Sequence, residues 1–181
     1  LKFKKNYFDY IFNFRSFLIL NTRHISMAKI ACINFHPSPP KYRGRGGINF
    51  ALYNQDKKYG VTSHLIDEKI DHGKIILVNY FDIPKNCSVE KLFNITQKKL
   101  YIIADEVFKN LKKYPNYLEH YIKKNKNNKW SKKISTTRDM DKFYKLDIKS
   151  KKSEFLKKII STNYKNFKPY LKIHGLKFYL N

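Results

Sequence analysis

Acidic residues are scarce in this chain of 181 residues, which carries 14 Asp and Glu against 38 Lys and Arg and a formal net charge of +24. A charge of this size usually indicates a nucleic-acid partner. Here nearly all of the positive charge is lysine, and Asn, Ile, Tyr and Phe are abundant, a bias that AT-rich coding DNA produces without such a partner. We therefore do not expect nucleic-acid binding, although the charge can help to collect anionic ligands.

Cysteines and long apolar runs are also rare. Cys32 and Cys87 form neither a Cys-x-x-Cys pair nor a disulfide framework, which fits a reducing cytoplasm. The apolar N-terminal segment is interrupted by Asp9, Asn13 and Arg15, whereas a membrane span needs about 20 apolar residues. No cleavage site of small residues follows this segment, which argues against a signal peptide. The sequence thus predicts a cytoplasmic protein without a membrane segment.

Two common catalytic signatures are missing as well. No glycine-rich loop ends in Lys followed by Ser or Thr, which argues against a phosphate loop. Ser38 lies among prolines, and no Gly-x-Ser-x-Gly turn is present. The sequence therefore favours neither phosphoryl transfer nor a serine nucleophile.

Asn34 and His36 lie at the end of a predicted buried strand. The run Lys29–Ile33 is short and partly apolar, which is typical of such a strand. Pro37 and the prolines that follow cannot continue a hydrogen-bonded ladder, so the chain must leave the sheet after His36. Because residues two apart on a strand point to the same face, both side chains project together at the carboxyl edge of the sheet, where open α/β sheets bind ligands.

Asp71 adds a carboxylate to this pair. It lies in the polar loop Asp67–Gly73, between the predicted strands Val61–Ile66 and Lys74–Phe81, whose hairpin carries Asp71 toward His36. An amide can stabilise an oxyanion, a histidine can take or give a proton near neutral pH, and a carboxylate can hold that charge. Each residue alone is more often a cap, a turn residue or a buried polar group, but together they favour acyl transfer to an amine.

A metal site is the alternative for the same part of the chain. His36, His64, Asp67, Asp71 and His72 offer imidazole and carboxylate groups, but their spacing fits no zinc pattern and no thiolates accompany them. We therefore predict no metal. We interpret His64, which lies in an alternating strand, as a core or pocket-wall residue.

Four segments between Asp9 and Val107 together resemble the folate-dependent formyltransferase family. Their order and spacing make the resemblance specific; they are Asn34–Ser38, Tyr42–Gly44, Gly60–His64 and Ile70–Gly73. The resemblance implies an α/β fold, namely a partial Rossmann-like formyltransferase domain with a parallel-type sheet, flanking helices and a hairpin. It also implies catalytic roles for Asn34, His36 and Asp71, with N10-formyltetrahydrofolate as the formyl donor, an amine as the acceptor and no metal.

The loop after His36 helps to distinguish which class of acceptor the resemblance implies. It is one residue shorter than the Ser-Leu-Leu-Pro segment of the methionyl-tRNA and glycinamide enzymes, and its double proline resembles the enzymes that formylate nucleotide-linked amino sugars. The segment Asn49–Tyr53 fits the same branch. The resemblance therefore implies an amino-deoxy sugar on a nucleotide as the acceptor, in a biosynthetic reaction. A methionyl-tRNA formyltransferase-like enzyme stays open as the alternative, with tRNA as its partner, and so does a homodimer.

The resemblance also implies residues that contact the donor and the acceptor. For several of them plain core packing or a solvated loop is an equal interpretation. Arginine suits a diphosphate because its planar fork donates two parallel hydrogen bonds, and aromatic side chains can stack on a base. The predicted folate contacts are Phe14, Ser16, Phe17, Leu18, Asp67 and Ile70; the predicted acceptor contacts are Tyr42, Arg43, Arg45, Asn49, His72, Trp130 and Tyr170.

Periodicity predicts the remaining elements. Ile48–Asn54 reads as one or two helical turns, and Ser88 is expected to cap a long helix whose apolar stripe recurs every three or four residues until Pro115. The Lys- and Asn-rich run Leu118–Ser131 is expected to be a loop. A helix over Ser153–Ile160 and a hairpin over Leu171–Leu180 follow. We expect a catalytic domain over residues 1–125 and a small α+β subdomain over residues 126–181.

In the family, strand–helix units precede the segment that resembles Asp9–Leu20, and the sequence does not contain them. The expectation is an N-terminally incomplete formyltransferase. An inactive truncated remnant and a basic RNA-binding module stay open as alternatives from other functional classes.

Overall fold

The structure, a computed structural model, describes residues 4–16, 18–165 and 167–180. In chain order the elements are β1 (Phe8–Phe14), α1 (Thr22–Ile25), β2 (Ala28–His36), β3 (Arg43–Gly44), α2 (Gly47–Tyr53), β4 (Lys58–Leu65), β5 (Ile75–Asp82), α3 (Val89–Lys113), α4 (Tyr117–Lys124), β6 (Ile134–Ser135), α5 (Thr137–Tyr144), α6 (Lys152–Thr162), β7 (Tyr170–Ile173) and β8 (Leu176–Tyr179).

The central sheet has four strands in the order β1, β2, β4, β5. β1 runs parallel to β2, whereas β4 is antiparallel to both of its neighbours. The predicted α/β class is confirmed, with one parallel pair in a mixed sheet. The predicted hairpin between the strands now called β4 and β5 is confirmed as well, and its connection returns to the carboxyl end of β2.

The long helix α3 covers one face of this sheet. The Ser88 hydroxyl accepts a hydrogen bond from the Lys91 N–H at 3.1 Å, as predicted, and Tyr114 is extended because Pro115 follows it. Ile33 and Phe35 of β2 pack with Leu100, Ile103 and Val107 of α3 in the main buried core. Since side chains alternate along a strand, Asn34 and His36 lie on the opposite face of β2.

No helix among the described residues combines the length and the apolar character that crossing a bilayer would require.

The expectation of a loop over Leu118–Ser131 is wrong at its start, where α4 forms. Tyr117 is buried and its ring lies 4.4 Å from that of Tyr121, while Tyr121 and Ile122 pack against the main core. The Asn125 amide then donates to the Ile76 carbonyl at 2.9 Å. The Lys and Asn content suggests a solvated loop, but burial of the aromatic positions against β5 and α3 stabilises the helix.

The C-terminal segment joins the rest of the molecule at two places. β6 pairs in parallel with β3, and α6 packs against α2. The side-chain amide of Asn49 in α2 donates to the Ser161 carbonyl of α6 at 2.7 Å, in a buried position. The predicted helix near α6 and the predicted hairpin, now β7 and β8, are confirmed. His174 and Gly175 form its turn with φ values of +48° and +83°.

Replacing Asn49 tests the junction between α2 and α6. We expect Asn49→Ala to lower the free energy of unfolding by about 1–3 kcal/mol, because the buried Ser161 carbonyl loses its donor. Urea denaturation followed by circular dichroism measures the change. Asn94→Ala, at an exposed position on α3, is the control and should stay within about 0.5 kcal/mol of the parent chain. Equal effects of the two substitutions would contradict a structural role for Asn49.

Candidate active site

Asn34 and His36 stand at the carboxyl end of β2, beside the end of β1. Asn13 and Asn34 are register partners in the parallel pair, so both strands leave the sheet at the same edge. His36 is 5% exposed, and its Nε2 lies 2.8 Å from the Tyr42 carbonyl oxygen. A carbonyl only accepts, so Nε2 carries the proton and Nδ1 is the free nitrogen of the neutral ring.

The loop between β4 and β5 places Asp71 at this edge. Asp71 has a φ of +43°, and its Oδ2 accepts a hydrogen bond from the Gly44 N–H at 2.8 Å. Gly44 has a φ of +77°, and a Cβ there would lie 2.2 Å from the Ser135 carbonyl oxygen. A Cβ on Gly73 would lie 1.8 Å from the Leu65 carbonyl oxygen. Glycines at these two positions therefore allow the close backbone approaches that fix the carboxylate.

The structure brings the three predicted catalytic residues together. His36 Nδ1 lies 3.4 Å from Asp71 Oδ2, and the Asn34 amide nitrogen lies 3.5 Å from Asp71 Oδ1. Asp71 is 9% exposed, so its charge interacts with both neighbours in a poorly solvated environment. An amide donor, an imidazole and a carboxylate thus converge at one point of the sheet edge.

His64 on β4 is a fourth member of this cluster, and sequence reasoning missed it. Its Nδ1 lies 2.7 Å from the Leu65 carbonyl, so Nδ1 donates and Nε2 accepts from the Asn34 amide at 3.0 Å. Nε2 also lies 3.5 Å from Asp71 Oδ1. Only the register of β2 against β4 could have indicated this position, because Asn34 and His64 lie directly opposite each other in that antiparallel pair.

The protonation of the pair follows from burial and neighbouring charges. Burial lowers the pKa of His36, and the opposing attraction of the Asp71 charge does not fully compensate. Burial alone would raise the pKa of Asp71, but the neighbouring His64 and His36 imidazoles and the hydrogen bond from the Gly44 N–H together lower it. Near neutral pH the pair therefore holds a neutral imidazole beside an ionised carboxylate.

Trp130 and Arg43 tie more distant segments to the same loop. The Trp130 indole donates to the Gly73 carbonyl at 2.8 Å, and its ring stands edge-on to His64 at 4.9 Å and to His36 at 5.8 Å. Arg43 is buried and donates from Nη2 to the Ile70 carbonyl at 2.7 Å. Both predicted acceptor contacts therefore lie beside the loop that carries Asp71.

The other predicted acceptor contacts are distributed more widely. Tyr42 donates to Asp56 at 2.7 Å, Arg45 is exposed, and Asn49 is engaged with α6. His72 pairs with Asp67, with 2.7 Å between His72 Nδ1 and Asp67 Oδ2, and it lines a cavity of about 590 Å³ together with Arg43 and Trp130. Tyr170 donates to Asp141 and pairs with Tyr179, so its contacts lie within the C-terminal segment.

The predicted folate contacts flank the trio on two loops. Phe14 ends β1 with its ring 5.8 Å from that of Phe35, and the Ser16 hydroxyl accepts from the Leu18 N–H. Leu18 and Ile70 are 55% and 48% exposed, while Asp67 accepts from the Lys69 N–H. The Thr22 hydroxyl donates to Glu68 at 3.3 Å and brings the two loops together. Phe17 lies outside the described residues.

Over the described ranges, no three His, Cys, Asp or Glu side chains are arranged to hold a metal ion.

The buried state of His36 predicts a pH dependence of stability. The unfolded chain takes up a proton at the ordinary histidine pKa of 6.5, whereas the folded chain resists it, so acid favours unfolding. We expect the free energy of unfolding to fall between about pH 7.5 and 5.5, and His36→Gln to make the slope shallower by at most about 1.4 kcal/mol per pH unit. His120→Gln, at an exposed position, is the control. Parallel slopes for all three proteins would contradict a neutral buried His36.

Comparisons with known proteins place this geometry in context. The chain is 33% identical to the methionyl-tRNA formyltransferase of Flavobacterium psychrophilum over 135 residues, which cover 74% of this chain and 39% of that protein. It spans 22–39% of the length of the first four curated relatives that it matches.

Solved structures share the fold. A sugar N-formyltransferase from Shewanella sp FDAARGOS_354 superposes with a TM-score of 0.75 at 19% identity, over 95% of this chain and 68% of that chain. An N-formyltransferase from Helicobacter canadensis, in complex with folinic acid and dTDP-3-aminofucose, superposes with a TM-score of 0.63 at 23% identity, over 92% and 59%.

The family model described as formyl transferase matches residues 3–107, which include the whole cluster of Asn34, His36, His64 and Asp71. More than half of the chain lies in this match, and the chain belongs to the formyl transferase family.

Proposed function

We propose that the chain transfers a formyl group from N10-formyltetrahydrofolate to the amine of a nucleotide-linked amino sugar. The observation that carries this proposal is the contact of His36 Nδ1 with Asp71 Oδ2 at 3.4 Å, with the Asn34 amide on the same carboxylate. Family membership supports formyl transfer as the reaction class. We also propose that residues 1–125 form the catalytic domain and residues 126–181 a small subdomain that contributes to acceptor binding.

The reaction requires two bond changes and the movement of one proton. The acceptor nitrogen attacks the formyl carbon and forms a new C–N bond, and the carbonyl oxygen becomes an oxyanion. The bond between the formyl carbon and the folate N10 then breaks. The proton lost by the amine passes to the pair of Asp71 and His36, and His36 returns a proton to the departing N10. No covalent enzyme intermediate is needed.

Asn34 is the proposed donor to the oxyanion. Its amide nitrogen carries two hydrogens, which now point to His64 Nε2 at 3.0 Å and to Asp71 Oδ1 at 3.5 Å. The longer contact is the weaker one, so we infer that the hydrogen directed at Asp71 is the one that turns to the oxyanion. Removing one such donor commonly costs about 10²–10³ in rate.

His36 and Asp71 are the proposed proton carriers. The Tyr42 carbonyl occupies Nε2, so Nδ1 is the nitrogen that exchanges protons, and it faces Asp71 Oδ2. An ionised carboxylate beside a neutral imidazole can accept the amine proton and hold it between the two groups. The Gly44 N–H keeps Oδ2 in place during this exchange.

The two loops that flank the trio are the proposed folate site. Leu18 and Ile70 expose apolar side chains, one on each of the two loops that the hydrogen bond between Thr22 and Glu68 joins. Phe14 adds a partly exposed ring at the end of β1. Apolar side chains with a few polar groups are typical of pockets for planar cofactors, and this supports placing the donor here.

A methionyl-tRNA acceptor is the second candidate. The methionyl-tRNA formyltransferase of Flavobacterium psychrophilum matches 74% of the chain, and the net charge of +24 would favour a polyanionic partner. The short loop with Pro39 and Pro40 and the solved complex with dTDP-3-aminofucose favour the sugar instead. Activity on the two acceptors distinguishes the candidates directly.

Substitution of the trio tests the site. We expect Asn34→Ala to lower kcat by about 10²–10³-fold, and His36→Gln and Asp71→Asn to lower it by at least about 10²-fold, because each removes a donor or a proton carrier. Formyl transfer from N10-formyltetrahydrofolate to a dTDP-linked amino sugar, followed by chromatography of the product, measures the rate. His120→Gln controls for the loss of an imidazole, and circular dichroism checks the fold. Rates near the parent value in all three variants would refute the proposed site.

An acceptor assay tests the substrate class. We expect product with a dTDP- or UDP-linked amino sugar and none with charged methionyl-tRNA, because the short loop with Pro39 and Pro40 resembles that of the enzymes that formylate nucleotide-linked amino sugars. Radioactive formyl donor and separation of the two products provide the measurement. Product with the tRNA alone would favour the second candidate, and product with neither would favour an inactive remnant.

A further inference from the structure

We propose that Trp130 is a positioning residue of the candidate active site: its indole holds the loop that carries Asp71 and fixes the two imidazoles beside that carboxylate. Trp130 is the only tryptophan of the chain and lies in the connection between α4 and β6, beyond residue 107, where the family match ends. The effect on the reaction rests on the proposed function, whereas the effect on the protonation of His36 is argued from the contacts of the indole alone.

The first contact of the indole is a hydrogen bond to the backbone of the loop between β4 and β5. Trp130 Nε1 donates to the Gly73 carbonyl at 2.8 Å. Gly73 packs so closely on Leu65 that a Cβ at residue 73 would lie 1.8 Å from the Leu65 carbonyl oxygen. The loop therefore enters β5 in close contact with β4, and the Trp130 N–H fixes a peptide group two residues after Asp71.

The pairing of β4 with β5 is irregular at the same place. Ser63 pairs with Leu77, but His64 pairs with Ile75, which leaves one extra residue in β5 between the two pairs. Such a bulge disrupts the local ladder and changes the direction of the neighbouring side chains. A further contact with the His64 ring therefore restrains a position that the strand pairing alone holds less firmly.

The indole supplies that contact to both imidazoles of the cluster. Its ring centroid lies 4.9 Å from that of His64 at an interplanar angle of 81°, and 5.8 Å from that of His36 at 64°. Edge-to-face contacts at these distances are favourable between aromatic rings. Rotation of the His64 ring would break its hydrogen bonds with the Leu65 carbonyl and the Asn34 amide, and a wide, rigid indole beside the ring opposes that rotation.

The chain is anchored on both sides of Trp130, so the indole has a defined position. Before it, the Asn125 side chain donates to the Ile76 carbonyl of β5 at 2.9 Å. After it, the Ser131 N–H donates to the Pro40 carbonyl, in the proline loop that follows β2, at 2.9 Å. The connection between α4 and β6 thus joins β5 to the loop after β2, and Trp130 lies between the two points of attachment.

Burial of the imidazoles is the property through which the indole acts on proton transfer. His36 and His64 are 5% and 2% exposed, and Trp130 is one of the side chains that keep water from them. Burial is the largest effect on the pKa of His36 and lowers it. The charged and titratable groups that face His36 are Asp71, His64 and Arg43, of which only Asp71 raises its pKa. Removing the indole admits water, so the pKa of His36 should rise toward the ordinary histidine value of 6.5.

Two substitutions separate the hydrogen bond from the ring. Trp130→Phe keeps an aromatic ring but loses the N–H, and we expect it to lower kcat by about tenfold with unchanged KM for N10-formyltetrahydrofolate and the dTDP-linked amino sugar, because Asp71 is positioned less precisely. Trp130→Leu also loses the ring, and we expect it to move the acid limb of the pH profile of kcat to higher pH.

NMR titration of the histidine imidazoles provides a second readout, in which His36→Gln identifies the signal of His36. We expect the His36 signal to titrate at a higher pH in Trp130→Leu than in the parent chain. Tyr101→Leu, which removes an aromatic ring that is 69% exposed on α3, is the control and should leave kcat, KM and the titration unchanged. Thermal unfolding of each variant checks the fold.

The NMR titration does not depend on turnover, so the positioning role and the proposed function can fail separately. Formyl transfer by the parent chain, with unchanged kcat and unchanged His36 titration in both Trp130 variants, would overturn the positioning role and leave the function standing. A shifted titration in a chain that transfers no formyl group would do the reverse. A higher KM for the sugar nucleotide at an unchanged kcat would assign Trp130 to substrate binding and overturn the positioning role. Trp130→Phe decides the question through kcat and KM even if Trp130→Leu does not fold.

Discussion

The position of one buried carboxylate, that of Asp71, is the constraint on which the rest of the site depends. Its loop is held at three nearly consecutive residues by groups from distant parts of the chain. Arg43 donates to the Ile70 carbonyl, Gly44 donates to the Asp71 side chain, and Trp130 donates to the Gly73 carbonyl. The Asp71 carboxylate is only 9% exposed, and its charge would be unstable there without such donors. The β3–β6 pair and Trp130 therefore stabilise a buried charge in addition to packing the chain.

Arg43 connects two segments of the candidate site. Its guanidinium lies between the Ser131 carbonyl in the α4–β6 connection and the Ile70 carbonyl beside the Asp71 carboxylate. The α4–β6 connection and the loop that carries Asp71 therefore depend on the same guanidinium.

Much of this site can be predicted from sequence, and the reasons for the exceptions are specific. The prolines after His36, the period-two pattern of Asn34 and His36, and the hairpin around Asp71 are local signals, and local signals predict local geometry well. The helix α4 was missed because its stability comes from burying Tyr117 and Tyr121 against other elements, which composition does not reveal. His64 was interpreted as a wall residue because its place opposite Asn34 depends on strand register. The pairing of β3 with β6 involves two residues on each side and leaves no pattern to detect.

In the proposed reaction, the lowered pKa of His36 affects protonation of the leaving group. The departing folate nitrogen is a weakly basic aromatic amine, so a weakly acidic imidazolium would protonate it poorly. Burial makes the protonated form of His36 a stronger acid than an ordinary imidazolium, and this improves proton delivery to N10. The same burial keeps His36 neutral until the acceptor amine supplies the proton, while Asp71, ionised beside it, attracts that proton into the pair. One physical effect, the burial of His36 at the end of β2, thus suits both halves of the proposed reaction.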